Sequence, residues 1–287
     1  MTLNLTLATR WMIVQTSDFK LTVAPGQPPE ETAQKQVVLK YRVWSGLLCY
    51  TGIAKYPGHD TAQWLTSQLT HSPDDARLPR QIADLLAREG SPWLRRIRAK
   101  DRKHTFTLAV FERDRPLLNM ISNYQRAGQD DLPQPLDHFI VSRHRPRGPR
   151  PYVTGYADCV DAGDKDELHD RLRSERDPHA LRRAAAHVSR RSALRSNGNV
   201  GENCVSAHLL PNGSGEVQVF GNPAAAFIPT MIMSGRNTAT YVPEAFRQAG
   251  ATAPHRLVGA TWTESRDDVN AMLLGFRDVN NTGHSGS

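Results

Sequence analysis

Cysteine is scarce in this chain: Cys49, Cys159 and Cys204 are widely spaced and odd in number. They form no disulfide framework and no zinc-ligand spacing, and they suit a reducing compartment, the cytoplasm. Aromatic residues are few, at 7%, and no RRM, KH or zinc-finger pattern accompanies them. No apolar stretch approaches the roughly 18 residues that a membrane-spanning helix needs. Residues 3–8 are interrupted by Asn4 and Thr6, so the start of the chain does not read as a signal peptide. Also missing are the G-x-G-x-x-G, Walker, H-E-x-x-H and G-x-S-x-G patterns, which leaves nucleotide, zinc-protease and serine-hydrolase chemistry without support. No cofactor or metal is expected.

What is present is the balance of an ordinary globular protein, 39% hydrophobic and 23% charged over 287 residues. That length holds an ample core, read here as one domain over residues 1–279 followed by a polar, disordered tail at 280–287. The net charge is +7. It gathers at residues 95–100, in Arg143-His144-Arg145-Pro146-Arg147, and from Arg171 to Arg195. Solvated faces and loops account for these clusters better than a nucleic-acid partner does.

Periodicity sets the elements. Residues 3–7 alternate apolar with polar, as a half-buried strand does, and residues 12–16 follow as its hairpin partner. The hairpin places Thr2 near Ser17 and Asp18. Residues 25–29 form a Pro/Gly loop. Strands are expected at 37–39 and 46–52, then a helix opening at 59–61. A second helix spans 78–88, with Gly90 placed to end it, and a third, basic one follows Ser91-Pro92. Strands return at 105–111, 117–122, 138–142 and 151–155, with an irregular loop over 143–151. Helices are expected at 164–173 and from the Asp177-Pro178 cap to about residue 194. Strands at 203–210, 215–220 and 227–233 precede a last pair of elements at 257–261 and 268–276. Helices segregated between batches of antiparallel strands predict an α+β fold, sheet packed on sheet with helices outside.

Thr2 carries the chemistry. A small second residue permits removal of Met1, which gives Thr2 a free α-amino group beside its own hydroxyl. Nucleophile and general base then share one residue. Asp18 stands sixteen positions later, Lys35 opens Lys35-Gln36-Val37-Val38, and Gly52 closes Tyr50-Thr51-Gly52-Ile53-Ala54. The bland readings are a strand-end turn for Asp18, a solvated edge for Lys35 and a plain turn glycine for Gly52.

In these stretches the chain resembles proteasome β-type subunits and the related bacterial proteasome-like peptidases of the N-terminal-nucleophile hydrolases. The resemblance covers roughly residues 2–220 and is strongest before Ala54. It implies a four-layer αββα sandwich, no cofactor, assembly into a homo-oligomer, and cleavage of peptide or other amide bonds through an acyl-enzyme. It implies Thr2, Asp18 and Lys35 as catalytic residues and the Gly52 N–H as oxyanion donor. An α-amine ordinarily titrates near 7.7–8.0, so a useful neutral fraction exists at pH 7. A nearby ammonium stabilises a forming alkoxide, and a carboxylate holds that ammonium in place. Thr154, Gly155 and Ser196 match supporting positions. Ala193 departs from the pattern, standing where the family often has an Asp, with Ser192 its nearest substitute. Two other readings stay open: a noncatalytic scaffold that keeps the fold, and a basic nucleic-acid-binding protein.

Overall fold

Leucine alternates with Asn4 and Thr6 along strand β1 (Leu3–Ala8), and both faces are buried. The leucines join a cluster with Leu168, Leu172, Leu181 and Val188. Ala8, on the opposite face, joins Val38, Leu47, Leu118 and Val205. Successive strand residues face opposite ways, so β1 is covered on both sides. The expected half-buried ribbon is thereby corrected: a second sheet lies over the face that carries the polar residues. Their polar atoms must then find partners inside the protein. Gln15 Nε2 donates to Thr6 Oγ1 at 3.3 Å and to the Thr107 carbonyl at 3.2 Å.

This is a computed structural model, and it describes residues 2–21, 33–71, 77–98, 102–126, 129–221, 230–238, 257–262 and 275–278. After β1 come β2 (Ile13–Asp18), β3 (Gln36–Lys40) and β4 (Ser45–Thr51), then a two-stranded ribbon of β5 (Lys55–Tyr56) and β6 (His59–Asp60). Helices α1 (Thr61–Leu69) and α2 (Pro79–Leu94) lead to β7 (Thr105–Glu112), β8 (Arg115–Ser122), β9 (Ile140–His144) and β10 (Arg150–Gly155). Helices α3 (Ala162–Ser174) and α4 (Pro178–Arg195) precede β11 (Cys204–Leu209), β12 (Gly215–Phe220), β13 (Thr230–Met233) and β14 (Arg236–Asn237). The last described strands are β15 (Leu257–Trp262) and β16 (Gly275–Asp278).

Among the described residues one sheet runs β10-β1-β2-β11-β12-β15-β16 and the other β14-β13-β3-β4-β7-β8-β9. The batches of strands seen in the sequence therefore do not correspond to sheets. All pairings within the two are antiparallel except β13 with β3, which is parallel. Helices α1 and α2 pack on the second sheet through Leu65, Ile82 and Leu86 against Leu48, Phe106 and Leu108. Helices α3 and α4 pack on the first. The architecture is mixed α+β.

Local chemistry explains the helix ends. The Asp60 carboxylate accepts from Gln63 N at 3.0 Å and caps α1. Asp177 accepts from His179 N and Ala180 N ahead of Pro178 in the first turn of α4. Asn197 and Gly198, both at positive φ, end that helix. The stop expected at Gly90 does not occur. Helix α2 runs on through Pro92 to Leu94, burying Trp93 and Leu94, so packing overrides propensity. Gly90 serves a close approach instead: a β-carbon there would lie 2.7 Å from Phe139 Cε2. The loop at 25–29, the tail at 280–287, and residues 268–274 of the last expected element lie outside the described residues. Among those described, no helix is long and apolar enough to cross a membrane.

Candidate active site

The β1–β2 hairpin brings Asp18 back beside the start of β1. One carboxylate oxygen, Oδ2, accepts from the Leu3 N–H at 3.1 Å. The other, Oδ1, accepts from Lys35 Nζ at 2.5 Å and from the Lys20 N–H at 3.1 Å. Lys35 Nζ donates also to the Lys20 carbonyl. Both charged side chains are fully buried. Lys35 is held from behind by β4, because its carbonyl accepts from Tyr50 N at 3.0 Å.

Burial dominates the electrostatics of this pair. Removal from water pushes the Asp18 carboxyl up, while Lys35 and the Leu3 N–H pull the other way. The same burial pushes the Lys35 ammonium down, against the attraction of Asp18 and with a smaller push from Lys20. A lysine so placed gives up a proton more readily than one in water.

Thr2 is 3% exposed. Its carbonyl accepts from Tyr156 N at 2.9 Å, which ties the start of the chain to the end of β10. Gly155, at φ 86°, sits against that carbonyl, and a β-carbon there would also lie 2.9 Å from Thr51 Cγ2. Thr2, Gly155 and the end of β4 thus meet beside the charge pair. Gly52, at φ 102°, is packed against the entrance to β7: a β-carbon would lie 2.2 Å from the Lys103 carbonyl and 2.9 Å from His104 Cα.

The other expected residues are distributed differently. Thr154 is buried in β10 opposite Asn4, which in turn faces Ser17 on β2. Thr154 Oγ1 and Ser17 Oγ have no hydrogen-bond partner among the described residues, and a polar row of this kind suits ordered water. Ser196 lies at the end of α4, where its hydroxyl donates to the Ala193 carbonyl at 2.7 Å and accepts from Val200 N at 2.9 Å. Ala193 and Ser192 are buried within α4. A cavity of about 800 Å³ has Ala33, Gln34, Val37 and Tyr50 in its wall, chain and strand neighbours of Lys35; Thr2, Asp18, Lys35 and Gly52 are not among its described lining residues. Among the described residues, no cluster of His, Cys, Asp or Glu could hold a metal ion.

No family model and no curated protein matches the chain. Solved structures similar to it include Anbu proteins. Anbu (ancestral beta-subunit) from Yersinia bercovieri aligns over 72% of this chain and 81% of its own at 16% identity, with a TM-score of 0.49. Anbu from Hyphomicrobium sp. strain MC1 aligns over 72% and 82% at 15% identity, with a TM-score of 0.46. Likeness at this level carries neither an activity nor site residues to this chain.

These findings correct the resemblance drawn from the first fifty residues. No model of the N-terminal-nucleophile hydrolases matches, and the similar structures named above are Anbu proteins, proteasome-like but distinct from the proteasome β-type subunits expected. The physical reason is plain: a Thr, an Asp, a Lys and a Gly at suitable spacing specify a local charge arrangement, not a lineage.

Three partners of the pair had no signal in the sequence: the Leu3 N–H, the Lys20 N–H and the Lys20 carbonyl. Backbone groups are the same in every residue, so only the register of the hairpin could have placed them.

Proposed function

We propose that this protein is an amide hydrolase, cleaving peptide or related bonds, whose nucleophile is the Thr2 hydroxyl once Met1 has been removed. The observation that carries the reading is the bridging role of Asp18. One of its oxygens holds the backbone N–H that follows Thr2, and the other holds the Lys35 ammonium.

In the proposed reaction the neutral α-amine of Thr2 takes the proton from Oγ as Oγ attacks the substrate carbonyl. The Lys35 charge offsets the developing alkoxide, and the Gly52 N–H meets the oxyanion. The tetrahedral intermediate collapses as the ammonium returns its proton to the leaving amine, which leaves an ester on Thr2. Water, deprotonated by the same amine, then attacks the ester and releases the acid, restoring the hydroxyl. Thr154, Gly155 and Ser196 support the site through the backbone around Thr2 and α4. The cavity walled by the neighbours of Lys35 receives the side chain next to the scissile bond.

The same reading takes the two sheets and their flanking helices as a four-layer αββα sandwich forming a single domain over residues 1–279. It places the protein in the cytoplasm as a homo-oligomer, with no nucleic-acid partner. A second reading, a noncatalytic scaffold, is favoured by the burial of Thr2 and by Ala193 in α4.

Intact mass and a threonine-directed electrophile separate the two. Loss of Met1, with Thr2 labelled in the wild type and unlabelled in Lys35→Ala, is the outcome expected of the hydrolase. Retained Met1, or an unlabelled Thr2 in folded, trimmed protein, leaves the scaffold.

A further inference from the structure

At the other end of β1 and β2, roughly 20 Å from Asp18 at a strand rise of about 3.3 Å per residue, the chain builds a second, chemically different cavity of about 700 Å³. Among the described residues six arginines line it, Arg10, Arg115, Arg145, Arg147, Arg173 and Arg176, with no acidic residue or lysine in the wall. They come from the β1–β2 turn, the start of β8, the loop between β9 and β10, and the end of α3 with the link after it. Among the described residues only Arg145 of the six has a carboxylate partner, Glu112.

The cleft is held open by more than charge. Trp11, 40% exposed, carries two guanidiniums over its ring, with Arg10 3.8 Å and Arg176 5.4 Å from the centroid. Stacking of this kind orders an arginine without neutralising it. The turn beneath is rigid, since Thr9 Oγ1 accepts from Trp11 N at 3.1 Å and Met12 N at 3.0 Å while Thr9 N donates to the Met12 carbonyl at 2.9 Å. Arg176 donates to the carbonyls of Arg173 and Glu175, which fixes it at the rim. Donors ordered in advance lose little entropy on binding.

We propose that this cleft binds a small anion carrying a chain of phosphates. Guanidinium forks match phosphate oxygens two bonds at a time, and six of them around one cavity exceed the charge of a single carboxylate or monophosphate. The enclosed volume is that of a small-molecule site rather than a flat polyanion track. Arg10 and Arg176 both lie over the Trp11 ring, 3.8 and 5.4 Å from its centroid, so the ring serves to order guanidiniums. Burial first, then Arg150 outside the cleft and Arg147 within it, hold the nearby His144 imidazole below its ordinary range. This inference does not rest on the hydrolase reading.

The test is calorimetric titration of the full chain with inorganic tripolyphosphate. Saturable binding is expected, weakened about tenfold or more in Arg147→Ala/Arg173→Ala. Arg96→Ala/Arg98→Ala removes the same charge elsewhere on the surface and should weaken it less than about twofold. ATP run beside tripolyphosphate separates the sources: tighter ATP points to a nucleoside triphosphate, and equal affinity to a bare phosphate chain. The proposal is overturned by equal loss in both double variants, by polyglutamate binding as tightly as tripolyphosphate, or by a single-stranded oligonucleotide binding where tripolyphosphate does not.

Discussion

A β-carbon on Gly155 would lie 2.0 Å from the carbonyl oxygen of Thr2. No rotamer change relieves that contact, because both partners are backbone. The position is also left-handed, at φ 86°, where a side chain costs about 1–2 kcal/mol. Gly155→Ala is therefore expected to destabilise the protein by about 2–4 kcal/mol, strain and overpacking together. Denaturant unfolding reads the loss. An unchanged midpoint would mean that Thr2 moves aside freely.

Removing one member of the Asp18–Lys35 pair should cost more than removing both. Lys35→Met leaves a buried carboxylate without its cation, an expected loss of about 3–5 kcal/mol. Asp18→Asn/Lys35→Met removes both charges and keeps an amide oxygen for one of the two backbone donors, Leu3 N or Lys20 N, which bond to different carboxylate oxygens. The double variant should recover about 1–3 kcal/mol of that loss. A double-mutant cycle with no coupling would show that the two groups act separately.

Two buried histidines set an acid limit. Burial, and then His59, lowers the His104 imidazole to about 3. Burial, and then Arg182 and His179, lowers His208 to about 3 as well. Between pH 6.5 and 3 the unfolded chain holds more protons on these residues than the folded one. Their stability contribution is thus intact above 6.5 and is lost as pH falls, by up to about 1.4 kcal/mol per pH unit for each histidine. His104 Nδ1 accepts from Ile53 N at 3.1 Å, so His104→Asn can keep an acceptor there. Urea titrations at pH 7, 6 and 5 should show a shallower slope in that variant, by one proton.

Gly90→Ala pits two effects against each other. Alanine favours a helix interior by about 1 kcal/mol over glycine, yet its methyl would meet Phe139 Cε2 at 2.7 Å, and overpacking costs about 1–3 kcal/mol. A net loss is expected, with recovery in Gly90→Ala/Phe139→Leu. Thermal unfolding of the two variants checks it.

These contrasts mark what the sequence could convey. Caps were legible because Asp60 and Asp177 act within four residues of themselves. The pairing of Asp18 with Lys35 was expected only through the resemblance, because Asp18 ends β2 and Lys35 precedes β3 in different sheets. Asn4 and Thr6 misled, since alternation looks the same whether water or a second sheet covers the polar face. Gly90 and Pro92 misled because Phe139, 49 residues from Gly90 in sequence, decides their environment. The parallel pairing of β13 with β3 left no periodic trace at all.

That late pairing bears on when the site comes into being. On the ribosome β2, with Asp18 at its end, has an open edge until β11 emerges to place Cys204 opposite that residue. Thr16 meets the Ser206 hydroxyl only 190 residues later in the chain. At about 5–20 residues per second, the hairpin that carries Thr2 waits on the order of 10–40 s for its neighbour. β3, which Lys35 precedes, waits about as long for β13. The nascent chain thus carries the hairpin of Thr2 and Asp18 well before the sheets around it are closed, and the environment of the Asp18–Lys35 pair is completed late in synthesis.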